Sequence, residues 1–274
     1  MRNIYEMTKY TLKEAFSRKI FLVFFGVSSF ILILFIIFFL FSNINSMTSM
    51  VKMNGKENID LVAKIIEGIK AIIVAPLFGI GLFLSVFSAS SFIPNLLEKG
   101  SVELFLSKPV SRRQIIWGKF WGGTIVVFVN VAFLIIGVWL LIGLKFGVWD
   151  LSFLTTIFTI TFTFGVLYGL IILVGILTQS SLLAMMITYL IFFILSPVLA
   201  SRDKLELLIH NKIVNWFIDG LYYLIPKTSE MATYTVNLAI GKYNGIELQP
   251  FLSSFLFMIL TLYIGIIIFN KKDY

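Results

Sequence analysis

Six long apolar runs without charges divide the chain, and polar stretches separate them. The runs cover residues 20–41, 71–93, 120–144, 151–177, 182–200 and 251–269. About 20 consecutive apolar residues cross a bilayer as an α-helix, so each run is long enough for one span. No small-x-small cleavage pattern follows the first run, which is interpreted as a retained anchor and not a signal peptide. The pattern predicts an all-α integral membrane protein, with six transmembrane helices in a single domain over residues 1–274.

The charged residues follow the same division and predict an orientation. Every Asp, Glu, Lys and Arg lies outside the six runs. Segments on the side that holds both termini carry 12 basic and 5 acidic residues, against 10 and 9 on the side with the longer loops. Because basic residues next to spans favour the cytoplasmic side, we expect both termini in the cytoplasm. The net charge of +8 then reflects topology and gives no support to nucleic-acid binding.

Composition excludes several classes of function. The chain is 59% hydrophobic with a mean hydropathy of +0.98, and it has no cysteine and one histidine, His210. Thiolate chemistry is therefore absent, and a lone histidine makes no metal site. Spans without ionisable residues argue against ion-coupled transporters, pumps and intramembrane proteases. The phosphate-binding motif G-x-x-x-x-G-K-[ST] does not occur, so any ATP hydrolysis is expected on a separate protein and not on this chain.

Small and weakly polar residues are what the predicted spans offer instead. Two interpretations of these residues remain open. They allow close helix packing, as at Gly165-x-x-x-Gly169, or they line a weakly polar conduit for an amphipathic cargo. Pro76 and Pro197 are expected to bend their helices. The polar residues in the spans are Ser85, Ser88, Ser90, Ser91, Asn130, Thr155, Thr156, Thr159, Thr161, Thr163 and Ser196.

A charged segment between the second and third runs is the strongest functional candidate. Ser101 can cap a short helix, whose apolar face would carry Val102, Phe105 and Leu106 at helical spacing. Pro109 would end that helix, and the chain would restart before reaching Lys119 at the membrane boundary. In the alternative, this is an ordinary loop whose basic residues touch lipid phosphates.

The order of residues in this segment resembles that of type 2 ABC exporter permeases, the ABC-2 type. The similar pattern is Glu98-x-Gly100-Ser101, then Leu106-x-x-Pro109-Val110-Ser111-Arg112, then Gly118-Lys119. The start, TLKEAFSRKIFLVFF, is similar to that family's amphipathic entry segment. Residues 224–242 look like its segment before the last span, as in the permease of the nitrous-oxide reductase maturation system.

The resemblance implies a permease subunit in a bacterial cell membrane, paired with a second permease copy or homologue and with two cytoplasmic ABC ATPases. The chain itself would bind no cofactor, and ATP with magnesium would bind the ATPases. The loop 94–119 would contain a coupling helix seated on the ATPase. The alternatives are a non-transporting scaffold or assembly factor and a facilitative channel, and no cargo is predicted. The implied ATPase contacts are Glu98, Gly100, Ser101, Glu103, Phe105, Pro109, Val110, Ser111, Arg112, Lys13, Glu14 and Arg18.

Two further amphipathic regions are predicted. On a helix over residues 2–19, one side carries charged residues and another carries Tyr5, Leu12 and Phe16, which favours a position at the membrane surface. The alternative is an ordinary basic flank. Residues 201–250 predict one or two extracellular helices lying on the outer leaflet, with Trp216, Tyr222 and Tyr223 at headgroup level. They would serve as an outer gate or as a lid.

Overall fold

The computed structural model describes residues 2–17, 19–41, 58–97, 110–208, 211–242, 245 and 248–272, and no strand occurs within those ranges. Two helices, α3 and α6, each contain a π-helical turn between α-helical parts. A short 3-10 turn at Pro94–Leu97 follows α3. The helices are α1 Arg2–Ser17, α2 Lys19–Phe41, α3 Asn58–Pro76 with Leu77–Gly81 and Leu82–Ala89, α4 Arg112–Phe146, α5 Leu151–Thr178, α6 Ser181–Tyr189 with Leu190–Leu195 and Ser196–Ala200, α7 Arg202–Leu208, α8 Lys212–Leu224, α9 Thr228–Ala239, and α10 Leu248–Lys271.

Six helices, α2 to α6 and α10, are long and apolar enough to cross a membrane, which confirms the predicted six-span architecture. The largest differences from the apolar runs are at α3 and α4, which begin several residues earlier than the runs do. With 35 residues, α4 is about 52 Å long, which exceeds the roughly 30 Å hydrocarbon core of a bilayer. We call the end of the bundle with α1 and Arg112 the α1 end, and the end with the α4–α5 turn the far end.

Helix α5 is the centre of the bundle, where α4, α6, α9 and α10 pack around it. Gly165 and Gly169 face α10, and a Cβ atom at Gly169 would lie 2.9 Å from the hydroxyl oxygen of Thr261. This close approach is what the Gly165-x-x-x-Gly169 spacing predicts. The Thr156 and Thr163 hydroxyls donate to carbonyls of α5 itself. At these glycines and threonines, close helix packing therefore explains the small and weakly polar residues better than a polar conduit does.

A π-helical turn lies close to each proline that is predicted to bend its helix. Pro76 comes directly before the π turn Leu77–Gly81, and Pro197 comes shortly after the π turn Leu190–Leu195. Proline lacks the backbone N–H and crowds the preceding turn, so the helix there loses an α-helical hydrogen bond. Widening the turn by one residue accommodates that loss. Residues of both widened turns line a groove between α3 and α6, which is described below.

Helix α9 lies inside the bundle, where it packs against α5, α3, α6 and α10, and the turn after α8 leads into it. Along α9, Met231 contacts the Thr163 hydroxyl, while Thr235 donates to the Thr159 hydroxyl nearer the start of α5. The first residues of α9 are therefore the deepest, since Thr163 lies about 18 Å along α5 at 1.5 Å per residue. The turn is fixed by backbone N–H groups of Lys227 and Ser229, which donate to Ser254 and Ser196.

This arrangement differs from the predicted helices on the outer leaflet. Trp216 and Tyr223 are exposed, as expected, but Tyr222 is buried, with the Arg202 guanidinium 3.7 Å and the Lys227 ammonium 3.9 Å from its ring centre. The buried face of α9 carries two threonines beside methionine, leucine and alanine, and the helix as a whole has low hydropathy. Hydropathy alone therefore gave no indication that α9 lies inside the bundle.

The far end holds a buried ion pair that the sequence did not indicate. Lys70 is buried within α3 and donates to Asp150 at 2.5 Å, so it is not confined to a loop as the apolar runs suggested. Asp150 is also the N-cap of α5, where it accepts from the N–H and hydroxyl of Ser152. Burial raises the pKa of Asp150, but the hydrogen bonds from Lys70 and Ser152 outweigh it, so the pKa lies below its ordinary value.

Replacing Asp150 with Asn should lower the free energy of unfolding by roughly 3 kcal/mol, because Lys70 would keep a buried charge without its partner. Asparagine preserves the helix cap, so only the charge is removed. A carboxyl with a lowered pKa stabilises the fold above its ordinary pKa of about 3.9 and loses that effect as the pH falls through the lowered value. In micelles, the difference in unfolding temperature between the parent protein and Asp150→Asn should therefore be largest near pH 7 and should shrink below about pH 4.

Glu67 provides the matched control at the same end. It pairs with Lys242, whose side chain is 63% exposed, so Glu67→Gln should cost less than about 1 kcal/mol. If Asp150→Asn costs no more than Glu67→Gln at pH 7, the buried pair does not stabilise the fold as stated.

Candidate functional site

Helix α4 begins where the sequence predicts that the chain restarts. The Ser111 hydroxyl accepts from the N–H of Gln114, and the Gln114 side chain accepts from the N–H of Ser111 at 3.0 Å. This reciprocal capping box satisfies two backbone donors at the helix start. Ser111 itself is exposed, and Arg112 and Arg113 form the first turn of α4.

Arg112 points along the end of α10. Its guanidinium donates to the carbonyls of Phe269 at 2.6 Å, Asn270 at 3.3 Å and Lys272 at 2.5 Å. The last carbonyls of a helix have no partner within the helix, and a cation there also offsets the negative end of the helix dipole. Arg112, one of the predicted ATPase contacts, thus holds the end of α10 against the start of α4. Arg113 beside it is exposed.

Lys272 continues this set of contacts at the α1 end. Its ammonium group donates to the carbonyls of Ile176 at 2.6 Å and Leu177 at 3.3 Å, at the end of α5. The first residue of α4 thus caps α10, and the residue after α10 caps α5. A displacement of the start of α4 would act on the central helix through two charged side chains.

Helix α1 lies directly against the first turns of α4. A Cβ atom at Gly118 would be 2.3 Å from the Cβ of Met7, and one at Gly122 would be 2.5 Å from the Cβ of Thr11. Met7, Thr11 and Ala15 form the buried face of α1. That face is neither of the two predicted sides, and Tyr5 and Phe16 of the predicted apolar side are exposed. We call this contact between α1 and α4 the seam. The two glycines are the sequence signal for it.

A buried ion pair holds the same seam. The Lys119 ammonium donates to the carboxylate of Glu14, and only 1% of Lys119 is exposed. The Tyr168 hydroxyl of α5 donates to the Lys119 carbonyl at 3.2 Å. Lys119 was predicted at the membrane edge with lipid phosphates as one possible partner, but it joins α1 to α4 inside the protein. Such a pair resists separation because either charge alone would be buried without compensation.

A small apolar cluster joins both ends of the 98–109 segment to α1. Met7, Leu96 and Ile115 are buried together, and Val110 packs against them. Leu96 precedes the segment and Val110 follows it, so the chain leaves and returns at one place. The sequence did not single out Met7, Leu96 or Ile115, since contacts between distant apolar residues leave no local pattern.

The remaining predicted contact residues divide into two groups. Lys13 is exposed on α1, opposite the seam. The others, Glu98, Gly100, Ser101, Glu103, Phe105, Pro109 and Arg18, lie outside the described residues, as does the predicted short helix. Within the described part of the chain, no group of three or more His, Asp or Glu side chains is placed to hold a metal ion.

A comparison with protein families identifies the family of this chain. The family described as "ABC-2 family transporter protein" matches residues 22–274. The chain belongs to the ABC-2 family. It is thus a multi-pass membrane component of an ABC transporter. Gly118 and Lys119 lie within the ABC-2 match, while the whole of α1 precedes it. No curated protein matched the sequence.

Replacing Gly118 with Ala should separate α1 from α4, because the added carbon would overlap Met7 and its backbone. Overpacking of this kind typically costs about 1–3 kcal/mol. Hydrogen–deuterium exchange should become faster in residues 2–17, and thermal unfolding should shift to lower temperature.

Gly26→Ala in α2 is the control, since a Cβ there meets no atom within 4 Å. It should leave exchange in α1 unchanged and leave stability equal or slightly higher, because alanine favours helix over glycine. Equal exchange in both variants would show that α1 does not depend on the glycine seam.

Proposed function

We propose that this chain is the permease subunit of an ATP-driven ABC exporter. It forms the translocation pathway with a second permease copy or homologue and is coupled to separate cytoplasmic ATPases through residues 94–119. Membership of the ABC-2 family supports the permease role. The chain is a non-catalytic subunit in a bacterial cell membrane with both termini in the cytoplasm, and ATP with magnesium binds the ATPases.

The observation that carries the coupling proposal is the cluster of Met7, Leu96, Val110 and Ile115. Because both ends of the 98–109 segment meet there, a force on the segment reaches α3, α4 and α1 together. The Lys119–Glu14 pair and the glycine contacts keep α1 and α4 moving as one body. Arg112 and Lys272 extend the linkage to α10 and α5. Closure of an ATPase pair against this segment would therefore move most of the spans.

The exposed charges near the seam support an interface with another protein. Lys13 of α1 and Arg113 of α4 point away from the bundle contacts just described. Charged side chains in this position favour a partner with complementary charge and guide its approach. We expect a cytoplasmic partner to approach the chain at Lys13 and Arg113.

The cargo is a separate question. The narrower likeness to the permease of the nitrous-oxide reductase maturation system rests on residues 224–242, which include α9. It makes a precursor of a metal or sulfur site one hypothesis for the cargo. The charge-free groove described below favours an amphipathic molecule instead.

Co-purification tests the proposal. An ABC ATPase encoded beside this gene is co-expressed with the chain, and the membrane complex is isolated through a tag on the ATPase. The expected result is a stable complex whose ATPase activity depends on this subunit. ATPase activity that is independent of the chain would favour a scaffold, and flux through liposomes that hold the chain alone would favour a facilitative channel.

Within such a complex, Glu98→Arg should uncouple ATP hydrolysis from transport, because a reversed charge would face the ATPase surface. Pro109→Ala should also uncouple ATP hydrolysis from transport. Both variants should remain in the membrane at the parent level, which membrane fractionation checks.

Glu67→Arg makes the same change of charge at the far end and is the matched control. It should leave ATPase activity and complex formation unchanged, since Glu67 pairs only with the exposed Lys242. If Glu98→Arg and Pro109→Ala also leave coupling unchanged, the segment is not the coupling element.

A further inference from the structure

A groove of about 430 Å³ opens between α3, α6 and α9. It lies beside both π-helical turns, since Phe78 and Gly79 come from the turn in α3, and Phe192 and Phe193 from the turn in α6. The groove is open on one side, where Phe193 and Thr233 remain exposed. Its volume is within the range of small-molecule sites, and π turns recur at functional sites.

The two walls of the groove differ in chemistry. The wall formed by α3 and α6 is aromatic and apolar. The wall formed by α9 carries Ser229, Thr233 and Asn237, which are spaced four residues apart and therefore share one face of the helix. A molecule with an apolar side and a hydrogen-bonding side would match both walls at once.

Thr228 supplies the decisive observation. Thr228 is fully buried and is among the residues that line the groove, and its hydroxyl has no hydrogen-bond partner among the residues that the structure describes. Other buried threonines, such as Thr163 and Thr188, donate to the carbonyl one turn earlier in their own helix. Thr228 begins α9, so it has no earlier turn of that helix to which it could donate. A buried hydroxyl without a partner is destabilising, and a bound ligand would provide the missing partner.

Charge narrows the class of ligand. Among the described residues, none of those that line the groove is charged. The nearest charged residues in sequence, Lys227 and Glu230, line a separate small cavity with Tyr222. A charged ligand would lose its hydration in the groove without gaining a counter-charge, which is unfavourable.

We propose that this groove binds an uncharged amphipathic molecule, which donates or accepts a hydrogen bond at Thr228 and lies along the Ser229, Thr233 and Asn237 side chains. Its apolar part lies against Phe78, Phe192 and Phe193. The bound molecule is the cargo of the transporter, and that identity rests on the proposed permease function. Binding itself does not depend on it.

Photolabelling of the full chain in phosphatidylcholine nanodiscs tests the proposal. The probe is a monoacylglycerol with a diazirine in its acyl chain, and two comparison probes carry the same chain with a carboxylate or a trimethylammonium head. The uncharged probe should label peptides from α6 and α9, and the charged probes should label them about tenfold less, a difference equivalent to 1.4 kcal/mol of binding free energy. Equal labelling by all three probes would overturn the proposal.

Gly79→Leu is the variant that fills the groove. A Cβ at Gly79 meets no atom within 4 Å, so the leucine enters open space without a clash. It should abolish labelling of α6 and α9. Gly68→Leu, on the same helix and also without an atom within 4 Å of its Cβ, lies outside the groove and should leave labelling unchanged.

Thr228→Val separates a ligand contact from a structural role. Since the hydroxyl has no partner within the described ranges of the chain, its removal should not lower the unfolding temperature, but labelling should fall severalfold. Unchanged labelling in this variant would contradict the proposal. So would labelling that maps to the apolar cavity of about 320 Å³ between α2 and α3.

These experiments use the chain without any ATPase. A failure to associate with an ATPase would therefore contradict the proposed function and leave the groove result standing. Loss of specific labelling in a chain that still forms an active ATPase complex would contradict the groove alone.

Discussion

Pairing of charges inside a bundle that is surrounded by lipid ties the helices of this protein together. Lys119 is balanced by Glu14 and Lys70 by Asp150. Lys145, Arg112 and Lys272 each donate to the terminal carbonyls of a neighbouring helix, where the helix dipole is negative. These contacts offset the charge of Lys70, Arg112, Lys119 and Lys145 where α3 and α4 continue past the apolar runs. They also tie the ends of separate helices to one another, so the bundle has few independently movable parts.

Most of the architecture was accessible from the sequence because a membrane span is a local property. Each span depends on about 20 neighbouring residues, and the α4 start depends on Ser111 and Gln114 alone. Pairings between distant residues carry no such signal. Lys119 therefore looked like a membrane-edge lysine, and the buried partner Glu14 was 105 positions away. The insertion of α9 was missed because its buried threonines have too little hydropathy to resemble a core face.

The predicted coupling segment stays a prediction, and the structure describes the residues on either side of it. The segment identified from its residue order does return to the bundle at Val110 and Ser111, beside α1. Arg112, however, is bound to α10, and the anchoring residues Met7, Leu96 and Ile115 were not foreseen. A resemblance to a family identifies positions of interest, but the contacts within the chain decide which of those side chains remain available to a partner.

The two π turns have a consequence for how the protein can change by gain or loss of one residue. A π turn is equivalent to one residue inserted into an α-helix, and one residue of an α-helix corresponds to about 100° of rotation. The widened turn absorbs that rotation, so deleting one residue at either turn would restore a regular helix and leave the residues beyond it on the same face. In α3 and α6 such a deletion would remove the widened turn beside the groove without breaking the span. Gain or loss of one codon could thus change what the protein binds while its membrane topology stays the same.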